Sequence, residues 1–452
     1  MTIKETVASY RDDMIRDLSR LVRFNSVSVA QPGPEPFGSE AAACLKDALA
    51  LAAENGFMTV NMENYCGYAE MGEGKDIIGI VGHLDVVPAD EGWETDPFTV
   101  VQKGNRLYGR GVSDDKGGVI AGLYAMKLLR DNGVTLNKRI RLIMGCAEET
   151  GSACMDYYVA HAEPVTAGFT PDGDFPGIYG EKAGCSMRME SKNTRILSLT
   201  GGTVTNAVCR RAKTVIPADT VSKNALEKAL AATKLDSFTV TEDGDTLVID
   251  AIGVAAHAST PQLGVNAISC TMQALAAAGM NDDLVSFYND KIGLTTDGSK
   301  LGIAFADDYG ALTLCNGTAS TENGVITLTI DIRVPVTVSA EQVRSAAAPN
   351  LEDARGRIVI ENIGKALFFP KDGPLARNLR DAYIAVTGDA ETEPMVIGGG
   401  TYAKHVPGIM AFGCAFPGTD NHIHDANESL DIDEFLLQVE IYYQAILNLL
   451  NA

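Results

Sequence analysis

DIIGIVGHLD (residues 76–85) is a short β-branched run that ends in polar residues, and KRIRLIMGCAEE (138–149) is a second of the same kind. Between them DKGGVIAGLYAMKLLRDNG (115–133) reads as a helix closed by Gly133. Strand, helix and strand in that order belong to a mainly parallel sheet covered by helices. In such sheets the polar ends of the strands face the crevice where ligands bind.

Outward from this unit, residues 1–182 keep alternating helical and strand-like stretches. The first 24 residues mix charge with apolar residues at helical spacing and predict one amphipathic helix; they lack the apolar core of a signal peptide. After residue 183 short alternating segments take over, among them SFTVTEDGDTLVIDAIGVAAH (237–257) and GVITLTIDIRVPV (324–336), with EDGD and ENG as turn signals. Near 370 a helical stretch, FFPKDGPLARNLRDAYIAVTG (368–388), is followed by EPMVIGGG and GIMAFGC, which regain buried-strand character. The expectation is therefore an α/β domain built from residues 1–182 and 371–452. Residues 183–370 form an inserted α+β domain, long enough for two subdomains.

At 452 residues the chain is long enough for two or three packed units, and 46% apolar with 21% charged residues is the balance of a globular protein. No stretch of 18 uninterrupted apolar residues occurs, so no membrane-spanning helix is expected. A net charge of -22 without any basic run argues against nucleic acid or an anionic membrane surface as partner. Nine cysteines, an odd number with no C-x-x-C pair, fit a reducing compartment, and the cytoplasm is the expected location.

Chemistry-bearing residues gather at the ends of strand-like segments. In GHLDVVP, His83 and Asp85 stand two apart and share a face of the strand. A metal-bound imidazole needs an acceptor on its other nitrogen, and Asp85 is placed to supply it; an isolated H-x-D pair has an equally ordinary structural use. Asp114 and Asp115 precede a helix, where an N-cap and a first-turn acid are the ordinary explanation and a carboxylate bridging two ions the chemical one. Glu148 and Glu149 leave a buried run in different directions, so one can bind metal while the other stays free as a base. Asp172 follows VTAGFT, and His424 lies in HIHDANE; polar loops are the alternative for each.

Taken in order, GHLDVVP, GRGVSDDKG, AEETGS, PDGDFPG, AAHAST, DIRVP, GGGTYA and the H-x-x-N-E of HDANE run the length of the chain. This series resembles the aminoacylase/carboxypeptidase family of dinuclear-zinc metallopeptidases, the bacterial dipeptidases among them most closely. The resemblance implies that Asp114 bridges two ions, with His83 and Asp172 on one and Glu149 and His424 on the other. Three carboxylates against two divalent ions leave one formal positive charge, so such a site wants an anion. Glu148, unbound but adjacent, would take a proton from the attacking water and pass it to the leaving amine.

The same resemblance makes the inserted domain a lid over the catalytic domain. His257 would reach from it to the oxyanion. Arg333 would pair with a substrate carboxylate, an ion pair being its ordinary alternative, and Asn206 would contact substrate. Lys404 stands where relatives commonly carry Arg. GGGTYAK lacks the spacing of a dinucleotide fingerprint, and His161, His405 and His422 match no ligand motif. The implied activity is hydrolysis of dipeptides or very short peptides; an N-acyl amino acid deacylase or a carboxypeptidase shares the same site, and a non-catalytic binding protein would have lost ligands or base. Zinc is the expected metal, and manganese or cobalt suits the ligands too. The long insert suggests a self-sufficient monomer, with a homodimer as the alternative.

Overall fold

The computed structural model describes residues 1–191 and 193–452. The chain separates into two compact units. One comprises Met1–Tyr179, Phe369–Val396 and Gly400–Ala452, the other Gly180–Phe368 with Ile397–Gly399.

At the centre of the first unit four strands lie side by side and parallel, in the order Arg139–Gly145, Ile77–His83, Ala167–Thr170 and Ile409–Ala411. An antiparallel hairpin, Met58–Met62 with Cys66–Met71, continues the sheet beyond Arg139–Gly145. Every residue of Ile77–His83 is buried, as a near-continuous apolar run requires when a parallel strand is covered on both faces. The helices Lys116–Asp131 and Ile432–Leu450 pack on each other and on this strand, and Ser39–Glu54 covers the hairpin. Both strands read from the sequence end at the same edge, with His83 paired to Gly145.

Helix Lys116–Asp131 carries Gly117 and Gly118 in its first turn for a steric reason. A Cβ on Gly118 would stand 2.7 Å from the Pro171 carbonyl oxygen and 2.1 Å from Asp115 Oδ1. Bare backbone there lets the loop carrying Asp172 close against the loop carrying Asp114.

The N-terminal segment departs from the single helix that its spacing predicts. Two helices, Ile3–Ser9 and Arg11–Val22, meet at Tyr10. The Tyr10 hydroxyl donates to Asp131 Oδ2 at 2.7 Å and its ring sits edge-on to Tyr124, contacts made far along the chain that no local pattern records.

The second unit is a nine-stranded antiparallel sheet, ordered Ser237–Asp243, Thr246–Ile252, Arg211–Pro217, Ser198–Gly201, Thr313–Glu322, Val325–Val334, Ala183–Ser191, Gly356–Ile363 and Glu352–Asp353. Alternating burial along Ala183–Ser191 and Val325–Val334 matches the apolar/polar alternation of their residues, one face to the core and one outward. Asn323 and Gly324 both take positive φ, 51° and 74°, the backbone of a tight two-residue hairpin loop. The two halves of the sheet meet at Gly201 with Ala319, where Thr321 Oγ1 also accepts the Leu199 N–H at 2.8 Å and donates to the Leu199 carbonyl at 3.0 Å, and they share a continuous apolar core. Among the described residues, no helix is long and apolar enough to cross a membrane.

Candidate metal centre

Strand ends and the loops after them assemble a cluster in the first unit. His83, the last residue of its strand, is almost wholly buried. Its Nδ1 lies 2.9 Å from the Asp85 carbonyl oxygen; a carbonyl only accepts, so Nδ1 carries the proton and Nε2 faces the acids. Nε2 is 2.9 Å from Asp114 Oδ1 and 3.9 Å from Asp172 Oδ2. The other Asp114 oxygen, Oδ2, is 2.9 Å from His424 Nε2, which stands 3.3 Å from Glu149 Oε1. Two donor sets result, His83, Asp114, Asp172 and Asp114, Glu149, His424, and Asp114 belongs to both.

Electrostatics follow from this crowding. Burial pulls the His83 imidazole toward neutrality, but hydrogen bonds to Asp114 and Asp85 and the charges around it outweigh that pull and hold its pKa well above the usual value. Hydrogen bonding to Asp114 and Glu149 lifts His424 to about 11. Burial works against an ionised Asp114, yet the two imidazoles keep it ionised far below the ordinary carboxylate range. Burial, then the charges of Asp172 and Glu149, push Glu148 well up. Protons hold the acids together here, and divalent cations are their natural replacement.

The residues present suit two such cations. Asp114 offers one oxygen to each side, each set mixes imidazole with carboxylate, and Glu149 Oε1 faces the same cluster 3.3 Å from His424 Nε2.

Asp85 acts differently from the simple pairing expected of H-x-D. Its carbonyl, not its carboxylate, takes the close bond from His83; the nearest carboxylate oxygen is 3.6 Å away. Its two carboxylate oxygens accept the backbone N–H groups of Glu148 and Glu149, each at 3.0 Å. Asp85 thereby ties the loop of the two glutamates to the strand end that carries His83.

His257, Asn206 and Arg333 belong to the second unit. Asn206 and His257 are brought together there: Ala258 N donates to the Asn206 carbonyl at 2.9 Å, and Ala207 bridges to His257. The His257 Nδ1 accepts the Ser259 N–H at 3.2 Å and lies 2.7 Å from the Ser259 hydroxyl. Arg333 shows the ion pair given as its ordinary alternative, though away from the open surface. Its Nε and Nη2 edge grips Asp331 at 2.7 and 3.2 Å, and Nη1 donates to the Gly398 carbonyl at 2.9 Å. Asp331, two residues earlier on the same strand and so on the same face, is the signal that would have disclosed this pairing.

His161 and His405 bond to neighbours outside the cluster, Tyr157 O at 2.8 Å and Asp156 at 3.0 Å, and His422 is exposed. Sequence reading passed over Glu428, which is fully buried and accepts the Asp114 N–H at 3.0 Å. It is the final acid of the HDANE stretch, which the motif series quotes for His424 without giving Glu428 a role.

Comparison with known proteins agrees in kind. The model of "Peptidase family M20/M25/M40" matches residues 79–448. The Bacillus subtilis (strain 168) protein named "Putative dipeptidase YtjP" is 34% identical over 457 residues, spanning 97% of each chain. Human carnosine dipeptidase 1 superposes with a TM-score of 0.61 at 17% identity, over 100% of this chain and 98% of its own. The Bacillus subtilis YXEP protein, described as a dinuclear metal binding peptidase, superposes with a TM-score of 0.53 at 12% identity, over 98% and 99%. At such identities the two structures speak for the fold.

Proposed function

Because the chain belongs to peptidase family M20/M25/M40, we propose that it is a metal-dependent dipeptidase whose centre holds two divalent cations, His83 and Asp172 on one, Glu149 and His424 on the other, and Asp114 between them. The observation that carries this reading is the Asp114 carboxylate, with one oxygen 2.9 Å from each imidazole and a place in both donor sets. Zinc suits a mixed imidazole and carboxylate set best, and manganese or cobalt fits the same ligands. The cations would supply Lewis-acid polarisation of the scissile carbonyl and a lowered pKa for the attacking water.

The chain's own groups do the rest. Glu148 is the general base: it takes the proton from water and returns it to the leaving amine, its backbone held by Asp85. His257 stabilises the oxyanion. With Nδ1 accepting the Ser259 N–H, the neutral ring carries its proton on Nε2, the form that can donate to developing negative charge. Arg333 meets the substrate carboxylate through the end of its guanidinium, the Nε edge being held by Asp331, and Asn206 contacts the substrate beside His257.

Residues 183–370 serve as the lid of a catalytic domain formed by 1–182 and 371–452, in a monomer that needs no residue from a second copy. The nine free, buried cysteines support a cytoplasmic, reducing setting. A panel of dipeptides, tripeptides and N-acyl amino acids assayed with the metal-loaded protein tests the substrate class. Preference for dipeptides with a free amino terminus is expected; hydrolysis confined to N-acyl amino acids or to longer chains would replace the dipeptidase reading with a deacylase or carboxypeptidase.

A further inference from the structure

The donor set that joins Asp114 to His424 draws on segments 310 residues apart, and both are loops. They leave the same short ladder, in which Ser429–Asp431 pairs antiparallel with Arg106–Tyr108. Asp114 lies six residues beyond Tyr108 and His424 five before Ser429, so the ladder alone leaves a wide margin in where the two side chains meet. The His424 loop is also bent against its own preference: His422, His424 and Asn427 all have positive φ, 52°, 65° and 64°. A non-glycine residue stays in that region only where surrounding contacts overdetermine it.

Glu428 ties the end of that loop to the one carrying Asp114. Its carboxylate is wholly buried and each oxygen accepts twice: Oε2 from Gly111 N at 2.9 Å and Arg110 Nη1 at 3.0 Å, Oε1 from Ser113 N at 2.9 Å and Asp114 N at 3.0 Å. Three of the four donors are backbone amides of the loop that ends in Asp114. Asn421 and Asn427 add outer ties, Asn421 Nδ2 to Ser113 Oγ at 3.1 Å and Asn427 Oδ1 from Glu94 N at 2.9 Å.

We propose that Glu428 is a positioning residue for the metal centre: its buried carboxylate locks the loop carrying Asp114 to the loop carrying His424 and so sets the gap between them. The proposal rests on the two-cation reading of the centre. Its alternative is a bare counter-charge for Arg110. An ionised carboxylate has only acceptors, whereas the amide of Gln would turn an NH2 toward two N–H donors whichever way it flips. The isosteric change Glu428→Gln therefore breaks the clamp without emptying the space.

The test is a Co2+ titration of the metal-stripped full-length chain, followed by visible absorption and by competition with a chelator. Wild type is expected to take two equivalents. Glu428→Gln should keep its far-UV spectrum and a cooperative melt, bind at least one equivalent about ten- to a hundredfold more weakly, and show altered absorption bands. The double variant Glu428→Gln with Arg110→Met should remain impaired, because the three backbone donors still face an amide. Binding of both ions by Glu428→Gln with wild-type affinity and bands would overturn the proposal. So would recovery in the double variant, which would reduce Glu428 to a partner for Arg110. Should Glu428→Gln not fold, Glu428→Asp keeps charge and acceptors but withdraws them by one methylene; weakened binding is again expected, and wild-type binding again overturns the proposal. A wild-type chain that takes up no Co2+ would remove the two-cation reading itself, and this proposal with it.

Discussion

Glu148 and Glu149 are neighbours with different surroundings, and the proposed chemistry depends on that difference. Glu149 has an oxygen 3.3 Å from His424, inside a donor set, while Glu148 belongs to neither set and is held through its backbone by Asp85. Glu148→Gln should keep both ions and lose about 10²- to 10⁴-fold in kcat, the usual contribution of a general base. Metal analysis beside a dipeptide assay checks this, and unchanged turnover would remove Glu148 from the mechanism. The imidazoles carry a second prediction. With His83 well above its usual pKa and His424 at about 11, both are protonated at pH 7 in the metal-free protein, and neutral imidazole is the form that binds metal. Loading at pH 7 should release protons, and metal affinity should rise with pH through neutrality and on toward the folded-state value of His424. Calorimetry in buffers of different ionisation enthalpy measures the release; binding without proton release would contradict the arrangement. Residue identities in the cluster were legible because His83, Glu149 and Asp172 stand at or just after the ends of recognisable strands and Asp114 just before a recognisable helix, while His424 was placed by the motif series. Partner choice was not: Asp85 gives its carbonyl to His83 and its carboxylate to two amides, and Arg333 is gripped by Asp331. Both depend on backbone paths that residue type does not encode.

Among elements, strand Ile77–His83 was readable from its short, continuous, β-branched run and helix Lys116–Asp131 from its length and helical spacing. The antiparallel second unit was readable from alternation and from turns such as Asn323-Gly324. What escaped was set at a distance. The break at Tyr10 follows from contacts with Asp131 and Tyr124, and the meeting of the two sheet halves at Gly201 and Ala319 has no local mark. Gly118 shows an element boundary tuned to its neighbours. Gly118→Ala would press a methyl group against the Pro171 carbonyl, and the loops of Asp114 and Asp172 would have to part. A loss of about 1–3 kcal/mol is expected from such overpacking, read by denaturant unfolding, together with weaker metal binding. A variant as stable as wild type and equally tight for metal would show that the close approach is not needed.

For the whole molecule, a net charge of -22 disfavours association with polyanions on electrostatic grounds. Self-sufficiency belongs to this scale as well. Sedimentation should find an active monomer, and mixing a His257→Ala chain with a Glu148→Gln chain should restore nothing; restored activity would mean that copies exchange residues. Whether five side chains distant in sequence hold two divalent ions for peptide hydrolysis is tested by stripping the protein with a chelator and following dipeptide hydrolysis while Zn2+ is added back. No turnover is expected in the stripped protein, and full activity once two ions per chain are bound. Full activity of the stripped protein would contradict the two-ion centre.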